Sequence, residues 1–111
     1  MRRVLGFAVA AALGLGSLPD AAARGNADAG KAKSQTCAAC HGPEGNKPSA
    51  PDQPVIAGQH YDYLVKSLRD YKSGKRKNAI MSGFAASLSV KDIEDLAAFY
   101  ASRKSDLHYQ R

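Results

Sequence analysis

The chain has no tryptophan, and its aromatic side chains come to five tyrosines and three phenylalanines among 111 residues. A chain this short buries a modest core by itself. A bound group would add apolar contact area that the side chains lack. Cysteine is scarce too, at two residues, which excludes a disulfide-rich scaffold. No apolar run reaches the roughly 20 residues a membrane-spanning helix needs. No stretch alternates like a half-buried strand, so the expected fold class is all-α. No dense stripe of lysine and arginine interleaves with aromatics, which argues against a nucleic-acid partner; residues 72–77 hold the one basic cluster.

What is present begins with a leader. Arg2 and Arg3 give a positive start, residues 4–18 are apolar with small side chains, and Pro19 breaks the run. Ala21, Ala22 and Ala23 then offer a small-residue cleavage site. This is the layout of a secretory signal peptide over residues 1–23, followed by one domain over 24–111. Retention as a membrane anchor fits less well, because the run is short and contains Gly6, Gly14 and Gly16. Cleavage removes Arg2, Arg3 and Asp20, taking the formal charge from +6 to +5. The expected location is the periplasm.

Within the domain, three helices and a long connection can be read. The first runs from about Ala27 to Ala39, with Asp28 suited to its positive end and Gly30 out of place in a helix interior. Pro43, Pro48, Pro51 and Pro54 mark residues 42–54 as loop. The second helix covers about Gln59 to Ser73, with Tyr61, Leu64, Val65 and Leu68 on one face and Gly74 as its stop. Residues 78–86 read as a short connection with at most one helical turn. Ser89 and Asp92 form a capping-box pattern for a last helix ending near Ser102 or Lys104, with Leu88 placed to staple against Ile93. Ile93, Leu96, Ala97 and Tyr100 line its apolar face.

The chemistry concentrates at Cys37-Ala38-Ala39-Cys40-His41. C-x-x-C-H is the pattern of covalent haem attachment. Each thiol can add to one vinyl group to form a thioether, and the adjacent imidazole then binds iron from one side. A structural zinc site would need four ligands, and only His60 and His108 remain as extra nitrogen donors. A disulfide is allowed in an oxidising compartment. A thioredoxin-like pair belongs in a βαβ setting, which is not seen. Once residues 1–23 are removed, Met81 is the sole methionine. Its soft thioether suits a sixth coordination position on haem iron. The competing readings are that Met81 fills a core gap, or that His60 or His108 ligates. His60 is expected at an exposed helix start and His108 in a charged tail.

With these residues in hand, the chain resembles a class I c-type cytochrome, and more closely the short bacterial c553 type or one half of a dihaem cytochrome c4. The matching stretches are Gly30-Lys31-Ala32, Cys37 to Gly42, Pro54 to Gln59, Tyr63-Leu64, Tyr71 to Arg76, Asn78 to Met81, and Leu88 to Tyr100. The resemblance implies a small helical bundle around one covalent haem c, with Cys37 and Cys40 as attachment points and His41 and Met81 as axial ligands. It places the Pro54 carbonyl near the His41 imidazole, and it gives Gly30 a close crossing with the last helix against Phe99. It offers Gln59, Tyr63, Arg76 and Asn78 as neighbours of the haem propionates.

With both axial positions filled, iron can cycle between two states without binding substrate. The expected function is one-electron transport between redox proteins with acidic docking surfaces, with transient contact to membrane complexes and no enzymatic activity. Two alternatives have the same residues: a dedicated haem subunit of a dehydrogenase or oxidase, and a five-coordinate haem enzyme or sensor.

Overall fold

Two helices meet end to end at Ser34, where a single helix is expected from the sequence. The computed structural model describes residues 24–107, together with Gly14 and Gly16. The remainder of the expected leader, and His108, lie outside the described residues. Helix α1 spans Ala27–Lys33 and α2 spans Gln35–His41. The break has a local cause. Ser34 donates its hydroxyl to the Lys31 carbonyl at 2.8 Å and its backbone N–H to the same oxygen at 3.2 Å. This back-bonding takes an acceptor from the helical ladder and tightens the turn.

A loop follows, and then α3 spans Tyr61–Ser73, α4 Ala79–Ala86 and α5 Val90–Ala101. Among the described residues there is no strand, and the fold is all-α. Helix α3 starts two residues later than its periodicity predicts and stops at Gly74, whose φ of +81° is the left-handed conformation glycine adopts without strain. Helix α5 opens on a complete capping box. The Ser89 hydroxyl accepts from Asp92 N–H at 3.0 Å, and the Asp92 carboxylate accepts from Ser89 N–H at 2.9 Å.

The segment expected as a connection is a helix of eight residues, which corrects the sequence reading. Asn78 makes the difference. Its side-chain oxygen accepts from the N–H groups of Ile80, at 3.1 Å, and Met81, at 3.0 Å, satisfying two donors that a helix start leaves open.

Helix α1 crosses α5, and α3 packs against both α5 and α4. The α1–α5 crossing depends on Gly30. A Cβ there would come within 2.0 Å of the Asp95 carbonyl oxygen and 2.8 Å of the Phe99 Cβ, so no larger residue fits. Leu64, Val65, Ile93, Leu96, Ala97, Phe99 and Tyr100 form the core, with Cys37, Ile56, Leu68 and Leu88 packed against its edge. The cysteine motif therefore leaves α2 with one thiol resting on the core that α5 supplies.

Candidate haem-binding site

His41 ends α2, and the chain turns away at Gly42 with φ of +85°. The next turn brings Gly45 N–H to the Gly42 carbonyl at 3.0 Å. Gly45 then acts as a clasp. Its carbonyl accepts from the N–H groups of Ile56 at 2.9 Å and Ala57 at 3.0 Å, pulling the far end of the proline loop back beside α2. Inside the loop, the Gln53 side-chain oxygen accepts from Ser49 and Ala50 N–H and from the Ser49 hydroxyl, over 2.8 to 3.1 Å. Ser49 N–H in turn reaches the Cys40 carbonyl at 2.9 Å.

The result is a fixed imidazole. His41 is buried, and its Nδ1 lies 2.8 Å from the Pro54 carbonyl oxygen. A carbonyl only accepts, so Nδ1 carries the proton and donates. That leaves Nε2 with the lone pair that a metal requires. Cys37 and Cys40 are half-buried free thiols. No disulfide forms between them, and no cluster of three or more His, Cys, Asp or Glu side chains suited to a metal ion occurs among the described residues.

Tyr100 belongs to this corner, although the sequence reading placed it only on the apolar face of α5. Its ring seats Gly45, where a Cβ would approach Tyr100 Cδ1 at 2.7 Å. Its hydroxyl is buried beside Cys37 and Ser34. Burial first, and the neighbouring Cys37 second, push the phenol above the ordinary tyrosine range, so it remains a donor. The residues present suit a covalently held haem: two free thiols and an imidazole with one nitrogen committed and one offered.

Met81 lies in the first turn of α4, half-buried. The other expected neighbours are partly committed elsewhere. Asn78 spends its side-chain oxygen capping α4. Arg76 stacks over the Tyr71 ring with its guanidinium 4.8 Å from the centroid, and one Nη donates to Ser67 Oγ at 3.3 Å. Gln59 accepts from His60 N–H at 2.8 Å, Tyr63 is half exposed, and His60 is exposed at the start of α3.

An all-helical fold with a C-x-x-C-H turn and a carbonyl-oriented imidazole defines a c-type cytochrome. The comparisons with known proteins agree. The cytochrome c family model matches residues 27–104. The chain belongs to the cytochrome c family, and its cofactor is covalently bound haem c. It is similar to cytochrome c4 of Pseudomonas aeruginosa, 49% identical over 92 residues, covering 83% of this chain and 44% of that protein. It is also similar to cytochrome c-554(548) of Halomonas halodenitrificans, 43% identical over 83 residues, covering 72% of this chain and 99% of that protein. The crystal structure of reduced recombinant cytochrome c4 from Pseudomonas stutzeri superposes with a TM-score of 0.70 at 41% identity, covering 77% of this chain and 49% of that one. The chain spans about half the length of the c4 relatives it matches.

Proposed function

We propose that this protein is a one-electron carrier exported to the periplasm, with haem c held by Cys37 and Cys40 and with His41 and Met81 as axial ligands. The observation that carries the reading is the committed Nδ1 of His41. The 2.8 Å contact to the Pro54 carbonyl fixes both tautomer and ring plane, and leaves Nε2 as the nitrogen able to bind, on the residue that follows Cys40. Bound haem c supplies a reversible one-electron couple.

The chain does the rest. Cys37 and Cys40 hold the group from one turn of helix, so electron transfer requires no association of cofactor and protein. Pro54 would make His41 a stronger ligand by accepting a hydrogen bond from its Nδ1–H. Met81, in the first turn of α4, would offer a thioether to the iron, and a thioether ligand raises the potential relative to a nitrogen donor. Were His41 and Met81 both bound to iron, they would leave no position for a substrate, as a carrier requires. Similarity to proteins named as cytochromes supports the same reading. Export of residues 24–111 follows from the leader pattern of residues 1–23.

The test combines mass and spectrum. Protein made in a host competent for haem attachment should have the mass of residues 24–111 plus one haem. The ferric form should show the weak long-wavelength band of methionine ligation. Met81→Ala should abolish that band and lower the potential, and Met81→His should restore a six-coordinate spectrum without the band. An unchanged spectrum and potential in Met81→Ala would remove Met81 from the iron. A mass equal to the polypeptide alone would remove the haem.

A further inference from the structure

Residues 102–107 continue past α5 and lie across the proline loop, meeting it on both sides of Pro54. Arg103 Nη1 donates to the Glu44 carboxylate at 3.3 Å, and Asp106 N–H donates to the Asn46 side-chain oxygen at 3.0 Å. Glu44 and Asn46 flank Gly45, whose carbonyl clasps Ile56 and Ala57. At the far end of the loop, Gly58 sits flush against Ser105. A Cβ on Gly58 would come within 2.4 Å of the Ser105 Cβ and 3.2 Å of the Arg103 carbonyl oxygen. Its φ is +70°, so one bare α-carbon serves both the turn and the close approach.

The segment is itself fixed to α5. Arg103 N–H donates to the Tyr100 carbonyl at 3.1 Å, and the same oxygen receives the Gly58 N–H. The Arg103 guanidinium lies over the Phe99 ring, 5.0 Å from its centroid. Its Nε and Nη2 donate to the Ser102 hydroxyl at 3.2 and 3.0 Å, and that hydroxyl donates to the Phe99 carbonyl at 2.7 Å. A lone exposed ion pair contributes little. Here all three guanidinium nitrogens are committed and a ring lies beneath them, so Arg103 is an arm of set direction. Chain ends fray unless something ties them down; this one is tied to α5 and to the loop at once.

We propose that residues 102–107 are a strap that orients His41 from outside the site, with Arg103 and Ser105 as positioning residues that act through the loop on the Pro54 carbonyl. This rests on His41 being an axial ligand, and it names what keeps the ring in place. The Gly45 clasp joins the two ends of the loop to each other. The strap joins them to the helical body, at Glu44 and Asn46 on one side and Gly58 on the other. Pro54 lies between those attachments, and its carbonyl sets how basic the imidazole is. A firm acceptor on Nδ1–H gives a stronger ligand, which favours the ferric state and lowers the potential. Loosening the strap lengthens that contact and raises the potential, although no ligand is changed. A strap that served stability alone would leave the ring and the potential where they are.

The test uses haem-loaded protein. Nitrogen-15 NMR of the reduced form reads exchange of the His41 Nδ1–H, a redox titration reads the potential, and circular dichroism in denaturant reads stability separately. Arg103→Ala should speed exchange about fivefold and raise the potential. Arg103→Lys keeps the cation but not the fork, and should recover part of the parent rate. Gly58→Ala should speed exchange about tenfold, because its methyl meets Ser105. Ser105→Gly in the same chain removes the atoms that methyl meets and should return part of the loss, the rest being the cost of the left-handed backbone. Arg69→Ala breaks an ion pair of the same length, 3.3 Å, between α3 and α5. It should leave both exchange and potential at the parent values. Parent exchange and parent potential in Arg103→Ala, whatever its stability, would overturn the proposal. So would equal changes in Arg69→Ala, since general loosening would then explain them. His41 ring protons without the large upfield ring-current shift of an axial ligand would overturn the His41 reading itself, and the strap's role with it.

Discussion

The Asp95 carboxylate is fully buried, yet its Oδ2 lies 2.8 Å from the ammonium of Lys33, 62 residues earlier in the chain. Lys91 reaches the same oxygen at 2.9 Å, and Asn26 N–H donates to Oδ1 at 2.8 Å. One side chain on α5 thus fastens both ends of α1, directly over the crossing that Gly30 permits. Replacing Asp95 by Asn leaves a weaker acceptor for three donors. The expected loss is about 2 kcal/mol in chemical denaturation, limited because both lysine heads also meet solvent.

The same fastening predicts an acid limit. Lys33 first, and the Ser89 backbone second, hold the Asp92 carboxyl down to about 2; Lys33 first, and Lys91 second, hold Asp95 well below the usual carboxylate range. Both groups are more acidic folded than unfolded, so folding favours their ionised forms. The stability they add is complete above about pH 4. It falls away as pH drops toward about 2, where Asp92 takes up its proton, and Asp95 follows at still lower pH. Far-ultraviolet circular dichroism under denaturant should show stability declining through that window. The decline should be shallower in Asp95→Asn.

Gly30→Ala should destabilise the fold by about 3 kcal/mol, because the added methyl meets α5 backbone rather than a side chain that can swing aside. The measured change in thermal midpoint should exceed that of an alanine substitution at Gly74, where a Cβ meets nothing within 4 Å and the penalty comes from the left-handed backbone alone.

Asn78→Ala removes the cap of the helix that carries Met81. A loss of about 1 kcal/mol is expected. The more telling readout is spectroscopic. If Met81 ligates, its long-wavelength band should disappear at lower temperature and lower denaturant in the variant than in the parent.

Gly45→Ala should act on His41 without touching it. The new methyl would press on Tyr100 and Ile56 and strain a backbone held at φ of +75°, loosening the clasp that positions Pro54. The His41 Nδ1–H, protected from exchange in the parent by its bond to Pro54, should exchange faster in a nitrogen-15 NMR experiment.

Much of this arrangement was legible in the chain itself, and the gaps have physical causes. Ser89 and Asp92 announced α5 because a capping box is a local, side-chain-coded device. Gly74 announced the end of α3 for the same reason. The break at Ser34 was not visible, since serine tolerates a helix and only its back-bond to Lys31 reveals the interruption. Helix α4 was missed because Gly83 and an apolar circumference hide its period, and its cap, Asn78, was read as a neighbour of the cofactor. At the site, Cys37, Cys40 and His41 declared themselves by spacing. Pro54 came from family resemblance, because a backbone carbonyl leaves no trace in residue type. The Tyr100 hydroxyl was unread, since burial of one polar atom depends on how α5 meets the loop.

Tyr100 also accepts the Gly58 N–H on its own carbonyl at 2.8 Å while its ring seats Gly45. The last helix is therefore the anvil on which the proline loop is shaped. Any nick, truncation or fraying that lifts α5 would slacken Gly45 and Gly58 together and let the imidazole rotate. The colour of the iron would then report on the integrity of the chain's far end, some sixty residues from the histidine that generates it.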